Sequence, residues 1–450
     1  ECEEGEVLMR RDLTKGSITK NLFLFSLPLM LGNLLQQLYN VADTLIVGRY
    51  LGADALAAVG SSYTFIVFLT SIILGLCMGS GAYFAIQYGK KDYDNLKNSF
   101  YISFILIFTI SLVLNLLVFF GVDKIIDFLN VPLEIRPLMR DYIRIIFMGI
   151  MATFLYNYFS NILRSIGNSL APVIFLMVSA LINIGLDILF IISFNWGVKG
   201  AAIATVIAQY ISAIGIIVYY YIYFPELRIE KKHMRWDNNI LKAIANLSIL
   251  TSLQQSIMNF GILMVQGLVN SFGTVVMAGF AAAVKIDSFA YMPVQDFGNA
   301  FSTFIAQNYG AGKKDRIKEG IRKSLVSVLI FCLVISGLVF GFSDKLMEIF
   351  IDKSNVEVIK VGVDYLRIVS LFYFGIGLLF MFYGFYRAVN KPRMSIVLTV
   401  ISLGTRVLLA YILSALPAIG VKGIWLAIPI GWVLADLAGS YYYFKIRNEL

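Results

Sequence analysis

The sequence predicts an all-α polytopic membrane protein: about twelve transmembrane helices in two six-helix lobes related by pseudo-two-fold symmetry. Three observations predict it. Hydrophobic residues make up 59% of the 450-residue chain and charged residues 14%, where a soluble chain of this length carries about 25% charged residues. Apolar runs of about 20 residues, the length that crosses a bilayer, follow one another from Asn21 to Phe444. The chain also repeats itself at an offset of 223 residues. Gly197-Val198-Lys199-Gly200 returns as Gly420-Val421-Lys422-Gly423, Arg164 as Arg387, and Gly89-Lys90-Lys91-Asp92 as Gly312-Lys313-Lys314-Asp315. A duplicated apolar chain is the architecture of a secondary transporter, with parallel halves related by an axis along the membrane normal. The short segments of alternating polarity that a β-barrel needs are absent.

The elements follow in order. A cytoplasmic segment, 1–20, carries Arg10, Arg11, Lys15 and Lys20. The first lobe, 21–223, holds spans near 21–47, 56–83, 97–121, 138–162, 170–193 and 198–223. Each is an apolar run bounded by charged or glycine-rich punctuation, such as Gly89-Lys90-Lys91-Asp92 after the second and Gly167-Asn168 after the fourth. A polar linker, 224–240, contains Glu230-Lys231-Lys232-His233-Met234-Arg235. His233, the only histidine, is expected to be solvated there. The second lobe, 241–445, repeats the pattern with spans near 241–268, 277–306, 320–343, 360–389, 394–416 and 422–445, and a short tail, 446–450, follows.

The net charge of +9 is a matter of topology and does not indicate nucleic-acid binding. With the N-terminus inside, Lys and Arg crowd the cytoplasmic loops: Lys90, Lys91 and Lys97 after the second span, the linker, and six between Lys313 and Lys323. Outside loops carry scattered ones such as Arg49, Lys124 and Lys199. This positive-inside bias places both termini in the cytoplasm and the protein in the cytoplasmic (inner) membrane. No cleavable signal peptide is evident, and the first span is expected to direct insertion. Cys2, Cys77 and Cys332 are scattered and predict neither a disulfide framework nor a metal site.

Polar residues inside spans need a reason, since a carboxylate at a helix centre costs about 2.5–3.5 kcal/mol on insertion scales. In the first span Gln36, Asn40 and Asp43 fall at i, i+4 and i+7, on one face. In the fifth, Asn183 and Asp187 are stacked at i and i+4, and the fourth and sixth add Asn157 and Thr205. These oxygens form a group able to hold a proton or a hard cation such as Na⁺. The alternative for Asp187 is a structural ion pair with a distant Lys or Arg.

The second half answers differently. Its seventh span offers Gln254, Gln255, Asn259, Gln266 and Asn270 without an acid, and the offset turns Asn183 into Arg406 and Asp187 into Ala410. The eighth span carries Lys285, Asp287 and Asp296 around Pro293. Lys285 and Asp287, two apart, do not share a helical face. Tyr39, Met258, Phe289, Tyr291 and Met292 supply aromatic and thioether surface suited to cations and irregular ligands. Together with Gln36, Asn40, Gln255, Asn259, Lys285, Asp287, Asp296 and Arg406 they make up the expected substrate cavity.

Other chemistries lack their residues. One histidine and three dispersed cysteines make no intramembrane enzyme, and Gly310-Ala311-Gly312-Lys313-Lys314 lacks the hydroxyl of a phosphate loop. Energy is therefore expected from an ion gradient or a partner protein, with no cofactor.

At Leu27-Pro28-Leu29, Leu38-Tyr39-Asn40-Val41-Ala42-Asp43-Thr44, Leu163-Arg164-Ser165-Ile166-Gly167-Asn168, Asn183-Ile184-Gly185-Leu186-Asp187 and Gly200-Ala201-Ala202-Ile203-Ala204-Thr205, the chain resembles the MATE (multidrug and toxic compound extrusion) family. Within it, the chain is similar to the prokaryotic DinF-like branch. The resemblance runs from Leu13 to the end of the chain. It implies antiport of H⁺ or Na⁺ against amphipathic, often cationic, small molecules, with Asp43, Asn157, Asn183, Asp187 and Thr205 at that branch's N-lobe cation site. Membrane lipid is the expected surrounding, and a monomer without an obligate protein partner is the expected state. The rival is a flippase for a lipid-linked anion, which calls for a strongly cationic cavity.

Overall fold

Backbone polar groups have no water to bond in a bilayer, so each span closes its own hydrogen bonds as a helix. The computed structural model describes residues 11–128 and 133–447. Arg10, Cys2 and the end of the 446–450 tail lie outside them. The first half contains α1 (Ile18–Leu51), α2 (Ala53–Lys90), α3 (Tyr93–Phe128), α4 (Arg136–Met148), α5 (Ile150–Ser165), α6 (Leu170–Asp187) and α7 (Gly197–Tyr223). The second contains α8 (Asn238–Asn270), α9 (Thr274–Gly310), α10 (Lys314–Phe350), α11 (Val356–Ser370), α12 (Tyr373–Ala388), α13 (Pro392–Ser414) and α14 (Lys422–Ile446). Among the described residues, ten helices are long and apolar enough to cross a membrane, or up to twelve spans when two bent pairs are included.

Those bent pairs correct the expectation of straight spans at 138–162 and 360–389. Helices α4 and α5 meet at 42°, and α11 and α12 at 56°. At each break i→i+3 bonds replace the helical ladder: Gly149 N–H to Ile146 at 2.9 Å, and Gly375 N–H to Phe372 at 2.8 Å. The repeat extends to this detail, because Ile150 and Tyr373, the first residues after each bend, are 223 apart. Positive φ recurs at the same offset, at Gly167 (93°) and Asn390 (59°) and at Gly197 (59°) and Gly420 (55°).

The chain forms two compact units whose borders fall inside helices and not in the linker. Among the described residues, one comprises 27–252 with Arg11 and Asp12; the other comprises 13–26 and 253–447. The first turns of α1 thus belong with the second half, and the first turns of α8 with the first half. In the first unit, Phe84, Phe100, Phe154 and Tyr158 build an aromatic core, where the Tyr158 hydroxyl donates to the Phe100 carbonyl at 2.6 Å. In the second, Trp425 stacks on Phe280 at 5.3 Å and meets Tyr365 edge-on at 5.1 Å. Outer faces stay apolar, as on α10 with Leu329, Ile330, Leu333 and Val334 exposed, which is the pattern for lipid contact.

His233 is a further correction. It is buried, not solvated. The Glu230 N–H donates to its Nδ1 at 3.1 Å, which leaves Nε2–H to donate to Asp94 Oδ1 at 3.0 Å.

Candidate functional site

The carboxyl groups of Asp43 and Asp187 come together within the first unit. Asp43 sits on α1 one turn beyond Tyr39, and Asp187 ends α6 one turn beyond Asn183. Immediately after Asp187, Ile188–Ser193 forms a π-helical turn, a wide geometry frequent at functional sites. The two carboxyls lie within close electrostatic reach of each other. Two neighbouring carboxylates repel when both are ionised, and a proton or a cation held between them relieves that repulsion.

The surrounding oxygens reinforce the demand. Asn183 Nδ2 donates to Thr205 Oγ1 at 3.1 Å, and Thr205 in turn donates to the Ala201 carbonyl at 3.1 Å. The Tyr39 hydroxyl stands 3.5 Å from Thr205 Oγ1. Four buried oxygens (Asp43 Oδ1, both of Asp187 and Asn183 Oδ1) receive no N–H or O–H donor from the protein. Among the described residues Asp187 makes no ion pair. Asn157 does not join the group by a hydrogen bond; its amide donates to Thr153 of its own helix at 2.8 Å. Tyr142 of α4, buried and within electrostatic reach of Asp43, Tyr39 and Asp187, was not foreseen, because its neighbours in sequence read only as a packing face.

The expected substrate residues of the second unit divide into two places. Asp287 accepts from the Tyr365 hydroxyl at 3.0 Å, with Tyr373, Tyr291 and Arg406 close by. Lys285 and Phe289 on the same helix are exposed. Gln255 and Met258 instead line a small, partly open cavity. Its wall includes Arg387, read from sequence as loop punctuation but only 6% exposed in the last turn of α12. Asn259, Met292 and Asp296 are not among its lining residues. Gln36 and Asn40 are half-buried on α1, Asn40 with its amide 3.5 Å from the Tyr63 hydroxyl. No cluster of His, Cys, Asp and Glu among the described residues has metal-holding geometry, and Cys77 and Cys332 are free thiols.

A duplicated bundle of membrane-length helices with a buried carboxyl pair in one half defines an integral membrane transporter, not an enzyme. The MatE family profile matches residues 28–189 and 248–412, and the chain belongs to that family. It is 32% identical over 438 residues to the probable multidrug resistance protein YpnP of Bacillus subtilis, covering 96% of each chain. The multidrug export protein MepA of Staphylococcus aureus is 24% identical over 97% of this chain and 96% of its own. Among solved structures, a MATE protein in complex with MaL6 superposes with a TM-score of 0.90 at 22% identity, covering 99% of both chains. An outward-facing multidrug resistance MATE transporter of the MOP superfamily gives 0.89 over 97% of both.

Proposed function

We propose that the chain is a multidrug efflux antiporter that exchanges H⁺ or Na⁺ for amphipathic, often cationic, organic compounds by alternating access. The observation that carries the ion half of the reading is the set of four donor-less buried oxygens on Asp43, Asp187 and Asn183. A proton or a hard cation satisfies buried carboxyl and amide oxygens that no protein donor reaches. The multidrug resistance and export names of its relatives support the substrate half, and the acid-free seventh span supports a DinF-like arrangement with coupling confined to the first half. Protein and membrane are placed by the positive-inside bias, with both termini in the cytoplasm.

In this mechanism the ion neutralises the carboxyl pair and favours one access state over the other. It shifts that balance only by the difference in its affinity for the two states, and a swing from 1:99 to 99:1 takes about 10⁴-fold. One charge crossing 100 mV supplies about 2.3 kcal/mol toward it. A cationic substrate competes for the same negative field. The test is efflux from loaded proteoliposomes under separately imposed pH and Na⁺ gradients. Asp43→Asn and Asp187→Asn are each expected to reduce efflux to that of empty vesicles. Wild-type efflux by both variants overturns the coupling role.

A further inference from the structure

The cavity of the second unit is built from donors. Helices α9 and α12 touch where Gly298 and Gly384 pack: a Cβ on Gly384 would stand 2.5 Å from the Gly298 carbonyl. Below that contact Arg387 Nη2 donates to Asn299 Oδ1 at 3.1 Å and Nε to Ser302 Oγ at 3.3 Å. Among the described residues no carboxylate lies within ion-pairing distance of this guanidinium. Asn299 spends its oxygen on Arg387 and so turns its NH₂ elsewhere. Gln254, only 2% exposed, lines the same space with an amide nitrogen that has no acceptor. Phe380 and Tyr383 supply an aromatic wall.

A buried charge without a partner is costly to keep, and two independent buried donors facing one space want the same thing, an acceptor. We propose that this cavity is a binding site for an anionic group, a carboxylate or phosphate, carried by an amphipathic molecule. Arg387 holds the anion by charge-assisted hydrogen bonds and the Gln254 amide supplies a further donor. The space is tight and partly open, so it takes only the anionic tip of a ligand, while the apolar remainder rests on Phe380 and Tyr383. The site widens the proposed substrate class from cations to zwitterions and amphipathic anions. That widening rests on the export reading, but the binding itself does not.

The experiment uses purified full-length protein in phosphatidylcholine nanodiscs and fluorescence polarisation. The probes are rhodamine B, which has a free carboxylate, and its ethyl ester, which lacks that anion. Arg387→Gln is expected to weaken rhodamine B about tenfold, the scale of one charge-assisted bond, and to leave the ester unchanged, while Arg387→Lys retains part of the affinity. An equal loss for both dyes in Arg387→Gln signals a folding defect, and Gln254→Leu then decides: a selective weakening of rhodamine B supports the site. No selective effect in either variant overturns it. Repeating the titration in discs containing phosphatidylglycerol assigns the source. Loss of rhodamine B binding in the wild type identifies a net-anionic lipid head group as the occupant, and unchanged binding identifies a soluble anion. Equilibrium binding needs no gradient, so failure here leaves ion coupling untouched, and failure of coupling leaves this result standing.

Discussion

At the scale of single residues, the two halves show how a duplicated position finds different chemistry. Gly167 and Asn390 both turn the chain at positive φ, 93° and 59°. Asn tolerates this region, and other side chains with a Cβ are strained there. Gly167 has a second constraint, for a Cβ would collide with the Arg11 carbonyl, whose own N–H donates to Gly167 at 3.1 Å. Gly167→Ala is therefore expected to cost more than about 1 kcal/mol, read as a lower thermal midpoint in detergent, whereas Asn390→Gly leaves the midpoint nearly unchanged. The carboxyl pair was legible in the sequence because Asp43 and Asp187 are expensive in an apolar span. Tyr142 and Arg387 were not. An aromatic residue in an apolar run carries no signal of what it faces, and an arginine beside a turn looks solvated until the packing of α9 against α12 encloses it.

At the scale of elements, the fold depends on close backbone approach. Gly75 and Gly79, one turn apart on α2, meet the start of α8 within the first unit; a Cβ on Gly79 would stand 2.5 Å from the Leu247 carbonyl. Ser80 and Ser248 share a hydrogen bond of 2.7 Å beside them. Small residues at this spacing are how helices associate in lipid, where apolar surface gives no drive. Gly79→Val is expected to destabilise by about 1–3 kcal/mol, the range for overpacking, seen as earlier aggregation on heating, while Gly121→Val on α3, whose added Cβ meets nothing, behaves like wild type. Span number and order were readable from apolar runs and loop charge. The bends were not: Leu371 and Phe372 contain no glycine or proline to mark one, and Gly149 at the other is a lone glycine of a kind that also stands inside unbroken helices, as Gly75 and Gly79 do.

At the scale of the whole molecule, each half holds the segment that leads into the other half's first helix. Asn308 and Arg316 bond the Leu13 carbonyl at 3.1 Å, and Lys313 reaches Thr14 at 2.6 Å, within the second unit. Within the first, Asn98 holds the carbonyls of His233 and Arg235 at 2.7 and 2.6 Å. Asn98→Ala is expected to hasten tryptic cleavage at Lys231, Lys232 and Arg235 severalfold, and Arg316→Ala to do the same at Lys15, with cleavage at exposed Lys353 as the unchanged control. The repeat was legible in its 223-residue offset, from which lobes of 21–223 and 241–445 were expected; the compact units instead divide at Ser252 and Leu253. The exchange of leading segments was not, since it rests on contacts some 300 residues apart in the chain. It bears on the order of events at the ribosome. A nascent chain that stops before Asn238 lacks the helical turns that complete its own first unit. The Leu13, Thr14 and Gly16 carbonyls gain their Asn308, Lys313 and Arg316 donors only once Asn308–Arg316 has been made. Neither half can finish folding before synthesis of the other is under way, so the order of synthesis itself couples the two products of the duplication.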